Sequence, residues 1–184
     1  MQLIQKALMV LLIIAAVMVG SFFLIAGFLP AEHHSQAATT VCQEREQVHA
    51  AFSEPAQLAE WFFPQSMEAT VHADKVRWQD DDRWLELRVL TANAPLSVDY
   101  ELEQQGRFTL PLQARIQETA DGGSDIHLSA TASAESAIGR WMLATPNILA
   151  RLGLPHETLE QAMGRGLAHA ENYLDERHGE CPSP

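Results

Sequence analysis

Hydrophobic residues in this chain follow two periods, and each period predicts one kind of element. Between about Glu68 and Ser133, apolar side chains recur at every second position, the pattern of strands with one buried and one wetted face. Met67, Ala69, Val71 and Ala73 form the first set, Leu85, Leu87 and Val89 the second, and Leu96, Val98, Tyr100 and Leu102 the third. Phe108, Leu110, Leu112, Ala114 and Ile116, then Ile126, Leu128, Ala130 and Ala132, complete five predicted strands. Turn chemistry separates them at Asp80–Asp81–Asp82, Asn93–Ala94–Pro95, Gly106 and Asp121–Gly122–Gly123. Pro111 cannot donate a ladder hydrogen bond, which predicts an edge strand or a bulge there. From Leu159 to Leu174 the period changes. Leu159, Ala162, Met163, Gly166, Leu167, Ala170, Tyr173 and Leu174 share one helical face. A striped helix and a one-sided sheet each need a partner. The expected solution is an α+β fold, with the closing helix across the concave face of a curved antiparallel sheet.

Shorter elements precede the sheet. Ala37 to Cys42 reads as a first strand. Glu44 to Phe52 reads as a helix with Val48, Ala51 and Phe52 on one face. A second small helix begins at Ser53, with Pro55 just inside its start and Leu58, Trp61 and Phe62 as its apolar contacts, and Pro64 stops it. Between sheet and closing helix, Ile138, Trp141, Met142, Ile148, Leu149 and Leu152 are dispersed around Pro146 and Gly153. That stretch, Ala137 to Leu154, predicts a broken helix or a loop.

The segment Ala7 to Leu29 carries no charged residue. As a helix it is roughly 34 Å long, enough for a hydrocarbon core of about 30 Å. It predicts a single-pass anchor at residues 7–29, followed by a tether at 30–36, a domain at 37–178 and a tail at 179–184. Lys6 before the segment favours a cytoplasmic N-terminus, in a cell inner membrane with the domain periplasmic or extracellular. A cleaved signal peptide is the competing account, with Ser35 and Ala37 as small residues near a cleavage point. Its apolar region would normally be about 7–15 residues, shorter than this one. Gly20 and Gly27 are not spaced for helix pairing.

Charge narrows the partners. The chain has 12 Lys and Arg against 24 Asp and Glu, and Lys6 is the single charge before residue 31. Such a surface repels phosphate backbones, so no nucleic-acid role is expected. Catalytic signals are absent too: there is no glycine-rich phosphate loop, HExxH pair or GxSxG elbow. Glu32–His33–His34 reads as a juxtamembrane polar patch, His72 and His127 fall on wet strand faces, and His156, His169 and His178 share no ligand spacing. No metal and no cofactor are expected. Asp99 and Glu101 also share a wet face, which leaves Tyr100 as the one ionisable residue directed inward. If the domain lies outside the membrane, Cys42 and Cys181 can form a disulfide; two free thiols are the alternative.

The order of these parts resembles the helix-grip superfamily, which includes START lipid-transfer domains, birch-pollen-allergen-like proteins and polyketide cyclase/dehydrase-like proteins. It is most similar to bacterial members with one N-terminal membrane helix. Two stretches carry the likeness. Glu46–Gln47–Val48–His49–Ala50–Ala51–Phe52–Ser53–Glu54–Pro55–Ala56–Gln57–Leu58–Ala59–Glu60–Trp61 resembles the family's first helix, its proline junction and the Trp ending its second helix. Leu154 to Leu174, with Ala162–Met163–Gly164–Arg165–Gly166–Leu167 and Tyr173–Leu174, resembles its closing helix. There are two departures: Phe62–Phe63–Pro64–Gln65 replaces the Trp-Ser-Pro-Trp-like continuation, and five strands are visible after the small helices where the family has six.

The resemblance implies non-catalytic binding of an apolar small molecule or lipid between sheet and helix. The expected wall is Val71, Leu87, Val89, Val98, Tyr100, Phe108, Leu110, Leu112, Leu128, Met163, Leu167 and Ala170, with Trp61, Phe62 and Phe63 at the mouth. Some members of the superfamily catalyse cyclisation or dehydration in such a cavity, so a small-molecule enzyme using Tyr100 is the alternative. A third class is an envelope interaction protein without a ligand, its acidic surface meeting a basic partner.

Overall fold

The structure is a computed structural model that describes the backbone of residues 2–62, 67–80, 83–105, 108–134, 136–151 and 158–179. Within these ranges, the side chains of residues 2–8, 10, 12, 80, 83, 108 and 147–151 are left undescribed. The chain divides into two compact units.

The larger unit comprises His34–Ala132 and Glu157–Pro184. Its seven-stranded sheet has the order β1-β7-β6-β5-β4-β3-β2, with β1 Glu32–Val41, β2 Glu68–Val71, β3 Lys75–Asp80, β4 Arg83–Asn93, β5 Ser97–Gln104, β6 Phe108–Glu118 and β7 Ser124–Ser133. From β2 to β7 every neighbouring pair is antiparallel. The chain's first strand joins its last: His34 bonds Thr131 and Thr40 bonds Asp125, a constant sum that marks antiparallel register. Two short helices, α2 (Arg45–Ser53) and α3 (Pro55–Trp61), follow β1, and α5 (Leu159–His178) closes the unit. This sheet-plus-helix arrangement matches the helix-grip fold.

Local chemistry explains the element ends. Gln47 Oε1 accepts from the Glu44 N–H at the start of α2, and Pro55 occupies the first turn of α3, where its missing N–H costs nothing. Thr158 and Gln161 form a reciprocal capping box on α5. Gly179, at φ 101°, ends that helix. In the β6–β7 turn Gly122 takes φ 84°, and a Cβ on Gly123 would lie 2.4 Å from the Val41 carbonyl oxygen.

Four expectations are corrected. Six strands, not five, follow the small helices, because Lys75–Asp80 is a strand of its own behind a turn at residues 72–74. Asp80, expected in the acidic turn, belongs to β3 and pairs with Arg83; Asp81 and Asp82 lie outside the described residues. Residues 32–36, expected as tether, already belong to β1, where His34 bonds Thr131 of β7. Pro111 lies on an inner strand opposite Glu101. Its place is just beyond the last β6–β7 pair, Leu112↔Ala130, so that ladder does not require an N–H from it.

The smaller unit comprises Met1–His33 and Ser133–His156. It contains α1 (Gln2–Phe28) and α4 (Ala137–Arg151). α1 covers nearly all of the expected anchor. Among the described residues, no helix is long and apolar enough to cross a membrane. Of the stretch expected as broken helix or loop, residues 137–151 form one helix, α4, with Pro146 inside it, and residues 152–154 lie outside the described residues. Ser136 caps α4 by accepting from the Gly139 N–H at 3.0 Å. Phe22 and Trp141 hold α4 to α1 in two ways. The Phe22 and Trp141 rings stack with centroids 5.4 Å apart, and the Trp141 indole N–H donates to the Phe22 carbonyl at 3.1 Å.

Candidate functional site

The apolar sheet face comprises Val76 and Trp78 on β3, Leu87 on β4, Val98 and Tyr100 on β5, Leu110 to Ile116 on β6 and Ile126 to Ala132 on β7, at alternating positions, all buried. In the same unit the α5 stripe of Met163, Leu167, Ala170 and Leu174 is buried as well. The phase of the alternation therefore places most of the expected wall inward. Its walls do not stand apart, however. Leu87, Val98 and Ala170 have no exposed surface, so no space that a water could enter abuts them, and Tyr100, Leu110 and Leu167 keep 2% or less. Small residual exposure remains at Leu112, Leu128 and Met163. Val71 is a correction: it sits on the edge strand β2 and is 46% exposed. Val89 is half-buried beside the β4 irregularity, and the Phe108 side chain lies outside the described residues.

Of the expected mouth, Trp61 belongs to the core instead and Phe62 is half-buried. Trp61 is buried, its ring lies 4.7 Å from that of Phe52, and its indole N–H donates to the Ala51 carbonyl at 3.0 Å. Phe62 stacks on Trp78 at 5.8 Å. Phe63 lies outside the described residues. Tyr100 is also committed: its hydroxyl donates to the Phe52 carbonyl at 2.5 Å, taking up one of the carbonyls that the end of α2 leaves without a helical partner. Burial, with Asp99 nearby, pushes the phenol well above its usual pKa. A neutral phenol spent on a backbone carbonyl is a structural group, not a general base.

The polar face is more open. β1, β7 and β6 border a concavity of about 440 Å³ lined by Gln36, Ala38, His127, Ser129, Gln113, Arg115 and Gln117. A second, of about 340 Å³, shares Gln113, Arg115 and Gln117 and reaches Leu96 and Ser97. Of the predicted wall residues, only Leu128 borders either. The polar side chains here hold one another in place. Arg115 Nε donates to Gln113 Oε1 at 2.8 Å, and Gln113 Nε2 donates to Asp99 Oδ1 at 2.6 Å. The result is a fixed surface presenting amide, guanidinium, imidazole and hydroxyl groups.

Further along that face, Glu86 is 4% exposed despite its polar-face position. Lys75 Nζ lies 3.0 Å from one carboxylate oxygen, Arg77 donates to the other at 3.0 and 2.7 Å, and Arg88 approaches at 3.4 Å. Arg77 also lies over the Trp84 ring, 4.7 Å from its centroid. Burial raises the carboxyl pKa, but hydrogen bonds and charge from Lys75 and Arg77 outweigh it and leave the group below its ordinary value. Glu86 lies between Leu85 and Leu87, on the polar phase of the alternation, which gives no sign of this cluster because two of its cations come from the strand that was missed.

Cys42 is disulfide-bonded; Cys181 lies outside the described residues. Among the described residues, no group of three His, Cys, Asp or Glu side chains could hold a metal ion.

No protein-family profile matches the chain, and no curated protein matches it. Solved structures do. A Rhodobacter sphaeroides protein of a structural-genomics programme is 16% identical with a TM-score of 0.55, over 78% of this chain and 93% of that one. A Staphylococcus epidermidis protein is 16% identical with a TM-score of 0.55, over 84% and 95%. DynU16, from the dynemicin biosynthetic locus, is 13% identical with a TM-score of 0.53, over 80% of this chain and 48% of its own. This chain thus spans about half of DynU16. At such identities the likeness shows the shared fold alone.

Proposed function

We propose that this chain is a membrane-held, non-catalytic binding module, and that its preformed contact surface is the polar groove across β1, β7 and β6. The observation that carries this reading is the contrast between the two sheet faces. The inner face is packed shut around Tyr100, whereas the outer concavity of about 440 Å³ falls in the size range of small-molecule sites, about 300–1,000 Å³. Its lining of hydrogen-bonding groups favours a polar ligand or a polar peptide segment. Anchoring at the envelope is supported by α1, whose sequence carries Lys6 as its single charge, and whose length is about 40 Å at 1.5 Å per residue. The bonded Cys42 fits an oxidising compartment outside the cytoplasmic membrane.

A second reading is an apolar small molecule or lipid held between sheet and α5. The residual exposure of Met163, Leu112 and Leu128 marks where such a molecule would part the layers, and the likeness to a protein of a biosynthetic locus agrees with it. Native mass spectrometry of the chain gently extracted from its own membrane separates the two. A polar adduct lost on Arg115→Ala supports the outer groove. An apolar adduct that survives Arg115→Ala and is lost on Met163→Trp assigns the interior and overturns the first reading. Turnover abolished by Tyr100→Phe would replace both with an enzyme.

A further inference from the structure

α4 differs in charge from the rest of the protein. Between Ser136 and His156 the chain carries Arg140 and Arg151 and no Asp or Glu, although the whole chain holds 24 acidic residues against 12 basic. The helix also leaves apolar side chains uncovered. Ile138 is 61% and Met142 71% exposed; they are four residues apart and therefore on one helical face. The next polar group on that side is disarmed as well, because the Thr145 hydroxyl donates to the Trp141 carbonyl at 2.6 Å. A basic, acid-free helix with an exposed apolar stripe has the composition of a segment that lies in a lipid interface.

Its attachment to α1 supplies a depth. Trp141 is fixed to Phe22 by ring stacking and by the indole hydrogen bond, and α1 ends at Phe28. Six residues at 1.5 Å each put that joint about 9 Å inside the helix end. Interfacial helices bury their apolar face about 5–10 Å into the headgroup boundary, where Trp is enriched. The uncovered side chains of α1 near its end, Phe23, Ile25 and Phe28, belong to the same compact unit.

We infer that α4 is an interfacial helix that docks into the lipid leaflet at the C-terminal end of α1, with Ile138, Trp141 and Met142 in the acyl boundary and Arg140 toward acidic headgroups. This deepens the membrane-held reading and rests on it. It makes the anchor a two-part device in which α1 inserts and α4 sets how deep the exit point sits.

The test uses the full chain reconstituted into vesicles of phosphatidylcholine and phosphatidylglycerol, with and without acyl-brominated lipid. Three of the four tryptophans, Trp61, Trp78 and Trp84, belong to the larger unit. The chain should float with the vesicles, brominated lipid should quench part of its emission, and Trp141→Phe should lose that quenchable part. The pair Ile138→Glu and Met142→Glu should lose it as well while flotation persists. Flotation with quenching unchanged in Trp141→Phe overturns the α4 inference and spares the anchor. No flotation at all overturns the anchor reading, and this inference falls with it.

Discussion

Replacing Tyr100 by Phe separates a structural phenol from a catalytic one. The ring would stay in place, since Tyr100 is 1% exposed and packed from all sides. What disappears is the hydroxyl that donates to the Phe52 carbonyl at 2.5 Å. That carbonyl is in the last turn of α2, where carbonyls lack intrahelical donors. Leaving a buried acceptor unsatisfied costs roughly 1–3 kcal/mol. For a chain of this size each kcal/mol moves Tm by about 2–4 °C, so a fall of about 2–12 °C is expected. The assay is thermal unfolding of the full chain in detergent, followed by circular dichroism. Hydrogen exchange should show faster amide exchange at the end of α2, near Ser53 and Glu54. The pH dependence adds a second check. The folded phenol has a raised pKa, so its contribution is full below about pH 10 and declines as pH rises further, because the unfolded chain releases the proton first. Tyr100→Phe should flatten that alkaline decline. An unchanged Tm, or a raised one, would refute the assignment of Tyr100 to α2.

Acid should act through two groups. Burial of His49, opposed in part by a hydrogen bond with the Ser97 backbone, lowers its pKa from 6.5, so its stabilisation is present above about pH 6.5 and lost as pH falls through the folded value. Glu86, lowered from 4.5, should follow the same sign at lower pH; His49→Gln should remove the first limb of a urea-midpoint titration and Glu86→Gln the second. Gly123→Ala should destabilise by about 1–3 kcal/mol, measured by urea unfolding, because its Cβ would meet the fixed Val41 carbonyl oxygen at 2.4 Å. Gly164→Ala, with open space around its Cβ, should raise stability by about 0.5–1 kcal/mol through helix propensity alone, read as a higher Tm.

Period-two alternation made β5, β6 and β7 legible from the sequence, because each pairs large inward side chains with polar outward ones. β3 was hidden by its neighbour. Ala69, Val71 and Ala73 continue one alternating phase straight through the turn, and no Gly or Pro interrupts residues 72–74. α4 was obscured for the opposite reason: Pro146 and Gly139 weaken any local helix signal, while its hold on α1 through Phe22 and Trp141 is a contact 119 residues away in sequence. Periodicity also says which way a side chain points but not how much room it finds. It placed Leu87, Val98 and Tyr100 inward, and it had no means of registering that they meet their neighbours without a gap. The partner of the Tyr100 hydroxyl, 48 residues away, has no local trace at all.

The pairing of the first strand with the last has a consequence for biogenesis. His34 meets Thr131 across 97 residues, so a nascent chain leaving the ribosome must carry β1 unpaired until β7 has been made. During that interval β1 presents an open backbone ladder, the kind of edge on which chains mispair. Its own composition, Glu32–His33–His34–Ser35–Gln36 followed by small residues, offers a foreign strand little apolar surface to hold. Late closure of the sheet is thus accompanied by a strand that is a poor aggregation template while it waits.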